Sequence, residues 1–231
     1  MKVSGARLTI APRFLLILCF VLISCYAFAQ ATMGNGNINT TIKLKNSSQA
    51  PVLEYNFNST DWYYVAFTKP SSGSGAFYIN GEFVGSINWA SMAYDHSILN
   101  IGASFFSSFS GYFSGTIDEL RVTNKIKDAS DLKAHFDTDA AFANETETAF
   151  IWRFDEGAGT QFVNEANDLT GNLSGSPLWV DGKFGKAIKY DGIDDRARVN
   201  ADLAEYQVTY EFWVKFDGEV RGTSQTLIQP Y

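Results

Sequence analysis

From residue 30 onward, apolar and polar positions alternate over short runs that are separated by clusters of Gly, Asn, Asp and Ser. WYYVAFT (62–68), GAFYING (75–81), HSILNIG (96–102), GTIDELRV (115–122), KAIKYDG (186–192) and VTYEFWVKF (208–216) are the clearest strands. In AFYINGEFVGS, Asn80-Gly81 stands between two apolar runs, the pair best suited to the positive φ angles of a tight hairpin. One helical turn is predicted in DASDLKAHF, where Asp128 or Ser130 can cap and the turn ends near Phe136. Residues 137–148, DTDAAFANETET, are acidic, small and without period, and read as a linker. Many short strands with almost no helix imply an all-β sandwich.

Residues 1–29 follow another pattern. Lys2, Arg7 and Arg13 precede the apolar run FLLILCFVLISCYAFA, which ends in the small-x-small triplet Ala27-Phe28-Ala29. That is the form of a secretory signal peptide cut before Gln30. The run is shorter than the ~20 residues of a spanning helix, so no membrane span is expected after cleavage. Leu22–Cys25, LISC, also has the form of a lipobox. Lipidation of Cys25 is the alternative to cleavage after Ala29. The protein is therefore expected to be secreted, or held at the cell surface or in the periplasm as a lipoprotein. Both cysteines, Cys19 and Cys25, lie in this leader, so stability must come from the core rather than from disulfides. A net charge of −7 argues against a nucleic-acid partner.

Two blocks resemble the LamG-like jelly roll of the concanavalin A-like lectin/glucanase superfamily. DWYYVAFTKPSSGSGAFYINGEFVGS and LNIGASFFSSFSGYFSGTIDELRVTNKIKDASDL are similar to the closing half of such a domain. FIWRFDEGAGTQFVNEANDLTGNLSGSPLWVDGKFGKAIKYDGIDDRARV is similar to its opening half. The resemblance implies a concanavalin A-like sandwich of two antiparallel sheets with its halves in permuted order. Residues 30–136 are then the closing half, 137–148 the linker and 149–231 the opening half. That second half is either truncated at Tyr231, as part of a tandem array, or packed on 30–136 as one circularly permuted sandwich. Packing is expected in both cases, because an orphan half leaves strand edges and an apolar face bare.

Asp118 and Glu119 in SGTIDELRVTN raise the question of catalysis. Strict alternation along a strand places Ile117, Glu119 and Arg121 on one face and Asp118, Leu120 and Val122 on the other. The two carboxylates are thus expected to point apart, whereas glycosidase pairs face one sugar at ~5–5.5 or ~6.5–9.5 Å. Catalytic laminarinase-type relatives carry E-x-D-x-x-E along one strand, a spacing not found here. His96 and His135 lie near no triad-like arrangement, and no metalloprotease or phosphate-loop motif is present. A non-catalytic module is expected. Glu119 is read as the partner of Arg121 or Arg153. The jelly-roll resemblance also allows calcium, with Asp118, Asp155, Asp191, Asp194 and Asp195 as candidate ligands. Calcium is the candidate cofactor, and otherwise none.

Sugar binding needs a flat aromatic face and hydrogen-bonding side chains. ASFFSSFSGYFSG (103–115) and INWASMAYDH (87–96) supply the aromatics, and Trp89, Tyr94, Phe106 and Tyr112 are the candidate ligand-binding residues. Trp62, Trp152, Trp179, Phe184, Phe212 and Trp213 are assigned to packing. A polysaccharide or other glycan is the expected partner. The rival reading is an adhesion module that binds an extracellular protein.

Overall fold

The computed structural model describes residues 26–34, 37–45, 53–57, 59–88, 97–105, 108–201, 207–217 and 225–230. The chain opens with β1 (Tyr26–Gly34), β2 (Asn37–Lys45), β3 (Leu53–Phe57), β4 (Trp62–Lys69), β5 (Ser74–Ile79) and β6 (Glu82–Asn88). Then come β7 (Leu99–Ile101), β8 (Ser104–Phe105), β9 (Phe109–Ser110), β10 (Ser114–Thr123) and the helix α1 (Ala129–Thr138). After the helix follow β11 (Thr148–Trp152), β12 (Gln161–Val163), β13 (Thr170–Ser174), β14 (Leu178–Asp181), β15 (Lys186–Asp191) and β16 (Arg196–Val199). The last strands are β17 (Val208–Phe216), β18 (Gln225–Thr226) and β19 (Ile228–Pro230). All pairings are antiparallel, and the fold is an all-β jelly-roll sandwich.

The larger sheet runs β14-β15-β10-β17-β4-β5-β6, with β11 also on β10. One edge of β10 is shared: β15 takes Ser114–Ile117 and β11 takes Leu120–Thr123. Its other edge pairs with β17, which in turn pairs from Val208 to Lys215 with β4. A five-stranded sheet, β12-β13-β16-β7-β19, lies opposite, and β18-β1-β2-β3 form a third sheet. Both main sheets thus contain strands from before and from after residues 137–148. They share one interior: Ile117, Leu120, Val122, Phe212 and Val214 from the larger sheet meet Leu99, Ile101, Leu173, Ala197 and Val199 from the smaller one.

The larger sheet also buries its other face. Tyr64, Ala66, Ile151 and Trp213 pack there against Leu132 of α1 and Phe142. This explains why VTYEFWVKF reads as almost continuously apolar: both faces of β17 are covered. Asp128 caps α1 by accepting the Asp131 N–H at 2.9 Å. The acidic segment after α1 has no strand or helix from Asp139 to Glu147, yet it straps the helix side of the sheet. Its Phe142 is buried, and its Glu145 bridges Arg121 and Lys127.

Strict alternation fails at one point in β10. Glu119 has φ 52°, and the β10–β17 register shifts between Asp118 and Arg121. This is a β-bulge, and it inserts one residue without pairing it. Ile117, Leu120 and Val122 therefore face the interior, while Asp118, Glu119 and Arg121 all serve the helix side. The expectation that the two acids point apart is corrected by this bulge.

Candidate functional site

The outer face of the five-stranded sheet carries a groove of about 360 Å³. Its floor follows from the period-two patterns TGNLS and RARVN on neighbouring strands. Leu173, Ala197 and Val199 point into the core, so the intervening residues must point out. Register places Asn172 opposite Arg198 and Ser174 opposite Arg196, while Thr170 and Asn200 continue the face. The β8–β9 hairpin forms the wall. Gln229 fixes it by accepting the Phe105 N–H at 2.6 Å and donating to the Phe105 carbonyl at 3.2 Å. The Phe105 and Phe109 rings are tilted 53° to each other with centroids 4.8 Å apart, and the Arg196 guanidinium sits 4.2 Å over the Phe109 ring. The lining thus offers amides, hydroxyls, guanidinium groups and an aromatic ring, and no carboxylate.

The acids lie elsewhere, in two groups. In the β15–β16 turn, Asp191, Asp194 and Asp195 each present a carboxylate oxygen within 4.8 Å of the others. Asp195 is buried and accepts the Ser176 N–H at 2.6 Å and the Asp191 N–H at 2.9 Å. Burial raises its carboxyl, the two N–H bonds pull it back, and the charges of Asp191 and Asp194 raise it again. Three crowded carboxylates of this kind fit a hard divalent cation in donor type and spacing. The second group anchors the turn between β14 and β15. Asp118 accepts the Phe184 N–H at 3.0 Å, and Asp155 accepts the Lys186 N–H at 2.6 Å. Gly185 of that turn has φ 58°, and a Cβ there would stand 2.0 Å from Asp155 Oδ1. Asp118 is fully buried, and burial pushes its carboxyl up to about 8, with the Phe184 N–H opposing and the charge of Glu119 adding.

A buried ionic knot lies under α1. Glu211 and Arg121 are both inaccessible and meet through paired contacts of 2.9–3.2 Å. Tyr64 donates its hydroxyl to Glu211 Oε1 at 2.6 Å, and His135 Nδ1 is 2.6 Å from the same oxygen. Phe142 closes over Arg121, with its ring centroid 4.6 Å from the guanidinium carbon. Burial would raise Glu211, but the His135 hydrogen bond and the Arg121 charge hold it down to about 2. The knot pins α1 and the strap to the sheet. Glu119 pairs with Arg153 at 3.0 Å instead of with Arg121, and accepts the Phe142 N–H.

The family model described as the concanavalin A-like lectin/glucanases superfamily matches residues 26–133. Over those residues the chain is similar to that superfamily. The match runs from β1 into α1, and β15 and β17 extend the same sheet beyond it. No curated protein and no solved structure matches the chain.

Within this jelly-roll sandwich, the sequence-derived residues fall in several places. Trp89, Tyr94 and Phe106 lie outside the described residues, as does His96. Tyr112 is half-buried and does not line the groove. Asp191, Asp194 and Asp195 come together, whereas Asp118 and Asp155 do not join them, because both are engaged by the β14–β15 turn. Trp152, Phe212 and Trp213 are buried, while Trp62, Trp179 and Phe184 pack half-buried against the two cores. Sequence reasoning missed Arg196, Arg198, Asn172 and Thr170. Their signal was present as alternation in adjacent segments, polar at 170, 172 and 174 and again at 196, 198 and 200. Among the described residues, no helix is long and apolar enough to cross a membrane.

Proposed function

We propose that the groove on the five-stranded sheet binds glycan and that the chain is an exported, non-catalytic carbohydrate-binding module. The superfamily commonly binds carbohydrate or mediates interaction. The observation that carries the narrower reading is the groove lining. Its hydroxyls, amides and guanidinium groups match the hydrogen-bonding edges of a sugar, and Phe109 supplies an apolar wall. Its volume lies in the lower range of small-molecule sites. A lining without carboxylates supports binding over hydrolysis, since acid/base cleavage of a glycoside needs two.

A glycan array probed with the wild-type chain, Asn172→Ala and Phe109→Ala tests this. Signals that weaken in both variants are expected. Signals unchanged in both would remove the groove from the reading. Trp89, Tyr94, Phe106 and Tyr112 remain the proposed aromatic platform, and Trp89→Ala on the same array measures its share. Silence on every glycan, with an extracellular protein retained instead, would favour an adhesion module.

Export is part of the proposal, and its two processing routes leave different sheet edges. Cleavage after Ala29 removes Tyr26–Ala29, and with them both residues of β1 that pair with β18. A chain beginning at a lipidated Cys25 keeps β1 whole. The permuted order of the two halves is likewise a proposal. It is supported by β11 lying beside β10, with α1 and the strap 139–147 as the connection between them.

A further inference from the structure

The groove floor is one part of a longer polar row. Gln161, Asn172, Arg198, Asn100 and Gln229 stand directly opposite one another across all five strands of the sheet. At its centre the row holds positive charge, in a chain whose net charge is −7. Among the described residues, neither Arg196 nor Arg198 is paired with a carboxylate. Arg196 donates to the backbone carbonyl of Asp194 at 3.2 Å, and each guanidinium lies over a phenylalanine ring. The other arginines among the described residues are paired: Arg121 with Glu211 and Glu145, and Arg153 with Glu119 and Glu165.

The guanidinium carbons of Arg196 and Arg198 lie 4.2 Å and 5.8 Å from the ring centroids of Phe109 and Phe105, contacts that leave N–H groups available to a ligand. The planar fork of a guanidinium suits a two-oxygen anion. Asn100, opposite Arg198, is almost fully buried, and among the described residues both polar atoms of its amide lack a partner. An unspent amide opposite Arg198 is a group that a bound water satisfies, which makes this end of the row a polar base beneath the groove. The neighbouring Thr170, Asn172 and Asn200 are neutral and suit hydroxyls.

We propose that the groove selects anionic sugars. Arg196 and Arg198 pair with the carboxylate of a uronic acid or the sulfate of a sulfated sugar, and Thr170, Asn172 and Asn200 take the hydroxyls. This rests on the glycan-binding reading above and narrows it to a ligand class. The net negative charge of the chain repels polyanions in general, so such binding has to be local to the groove.

Affinity electrophoresis of the full chain through gels containing dextran, dextran sulfate, polygalacturonate or single-stranded DNA tests the proposal. Retardation is expected in dextran sulfate, in polygalacturonate or in both, and not in dextran. The two acidic polymers distinguish sulfate from carboxylate. Arg196→Gln and Arg198→Gln should each weaken binding about tenfold, the scale of one charge-assisted pair, and Arg198→Lys should weaken it less. Thermal melts of the variants should match wild type, since the two side chains carry no buried partner. Equal retardation in dextran would overturn the charge selectivity and leave glycan binding standing. Equal retardation in DNA, or retardation unaffected by either Gln variant, would show a general charge effect and overturn the proposal. No retardation in any gel, together with a silent glycan array, would remove both readings.

Discussion

Asp118→Asn is expected to stabilise this protein at neutral pH, although it alters a fully buried polar residue. In the fold the Asp118 carboxyl lies near pH 8, against 3.8 for an ordinary aspartate, so it is protonated at pH 7. A raised carboxyl contributes fully below its unfolded value and loses that contribution as pH rises through the folded one. The window spans about four pH units, and at 1.36 kcal/mol per unit the total is roughly 6 kcal/mol. Asparagine matches the shape of the neutral acid, still accepts the Phe184 N–H, and has no proton to lose.

Other groups titrate over the same range, so the informative quantity is the difference between wild type and variant. Between pH 5 and pH 7 that difference should move by about 3 kcal/mol in favour of the variant. For a chain of this size this is roughly 6–12 °C in Tm. Urea denaturation of both proteins at pH 5, 6, 7 and 8 measures it. A difference that stays flat across this range would show that Asp118 ionises normally in the fold. The account of its burial would then be wrong.

The remaining predictions concern the ionic knot, the hairpin and the acid turn. Glu211→Gln should cost about 3–5 kcal/mol at pH 7, because it leaves Arg121 buried against a neutral partner. Because Glu211 is held down to about 2, its contribution is present above about pH 4.5 and fades as pH falls toward 2. The variant's deficit in denaturation midpoint should therefore shrink at pH 3, and an undiminished deficit there would refute the assignment. Gly81→Ala should cost about 2 kcal/mol: Gly81 has φ 76°, and an added Cβ would stand 2.8 Å from the backbone of Lys133 in α1. An unchanged melting temperature would contradict the tight seating of the hairpin under the helix. Calcium at millimolar concentration should raise the melting temperature of the wild type and not of Asp194→Ala. No shift in the wild type would dismiss the Asp191–Asp194–Asp195 turn as a cation site.

Some of this was legible in the letters and some was not. Asn80-Gly81 announced its hairpin because only a few residue types accept positive φ, and both angles are positive. Asp128 announced α1 through a short-range hydrogen bond that needs no tertiary context. The acid turn was visible because its three members are neighbours in sequence. The bulge at Glu119 was not, since alternation is the only rule available along a strand and one inserted residue reverses it. Asp118 and Asp155 resembled metal ligands because nothing local shows that a turn some 30 or more residues away engages both. The groove escaped for the opposite reason: polar residues alternating along two strands look like any solvated face until register sets them side by side.

The position of β17 has a consequence for how the chain can reach this fold. Trp62 pairs with Lys215 and Lys69 with Val208, and the opposite side of the same strand closes against β10. While the polypeptide is being synthesised, β4 and β10 have no neighbour for these edges until β17 has left the ribosome. Pairing over such sequence separation is slow. Until then the nascent chain offers two long open strands to anything nearby, and the place of β17 between them decides how long that exposure lasts.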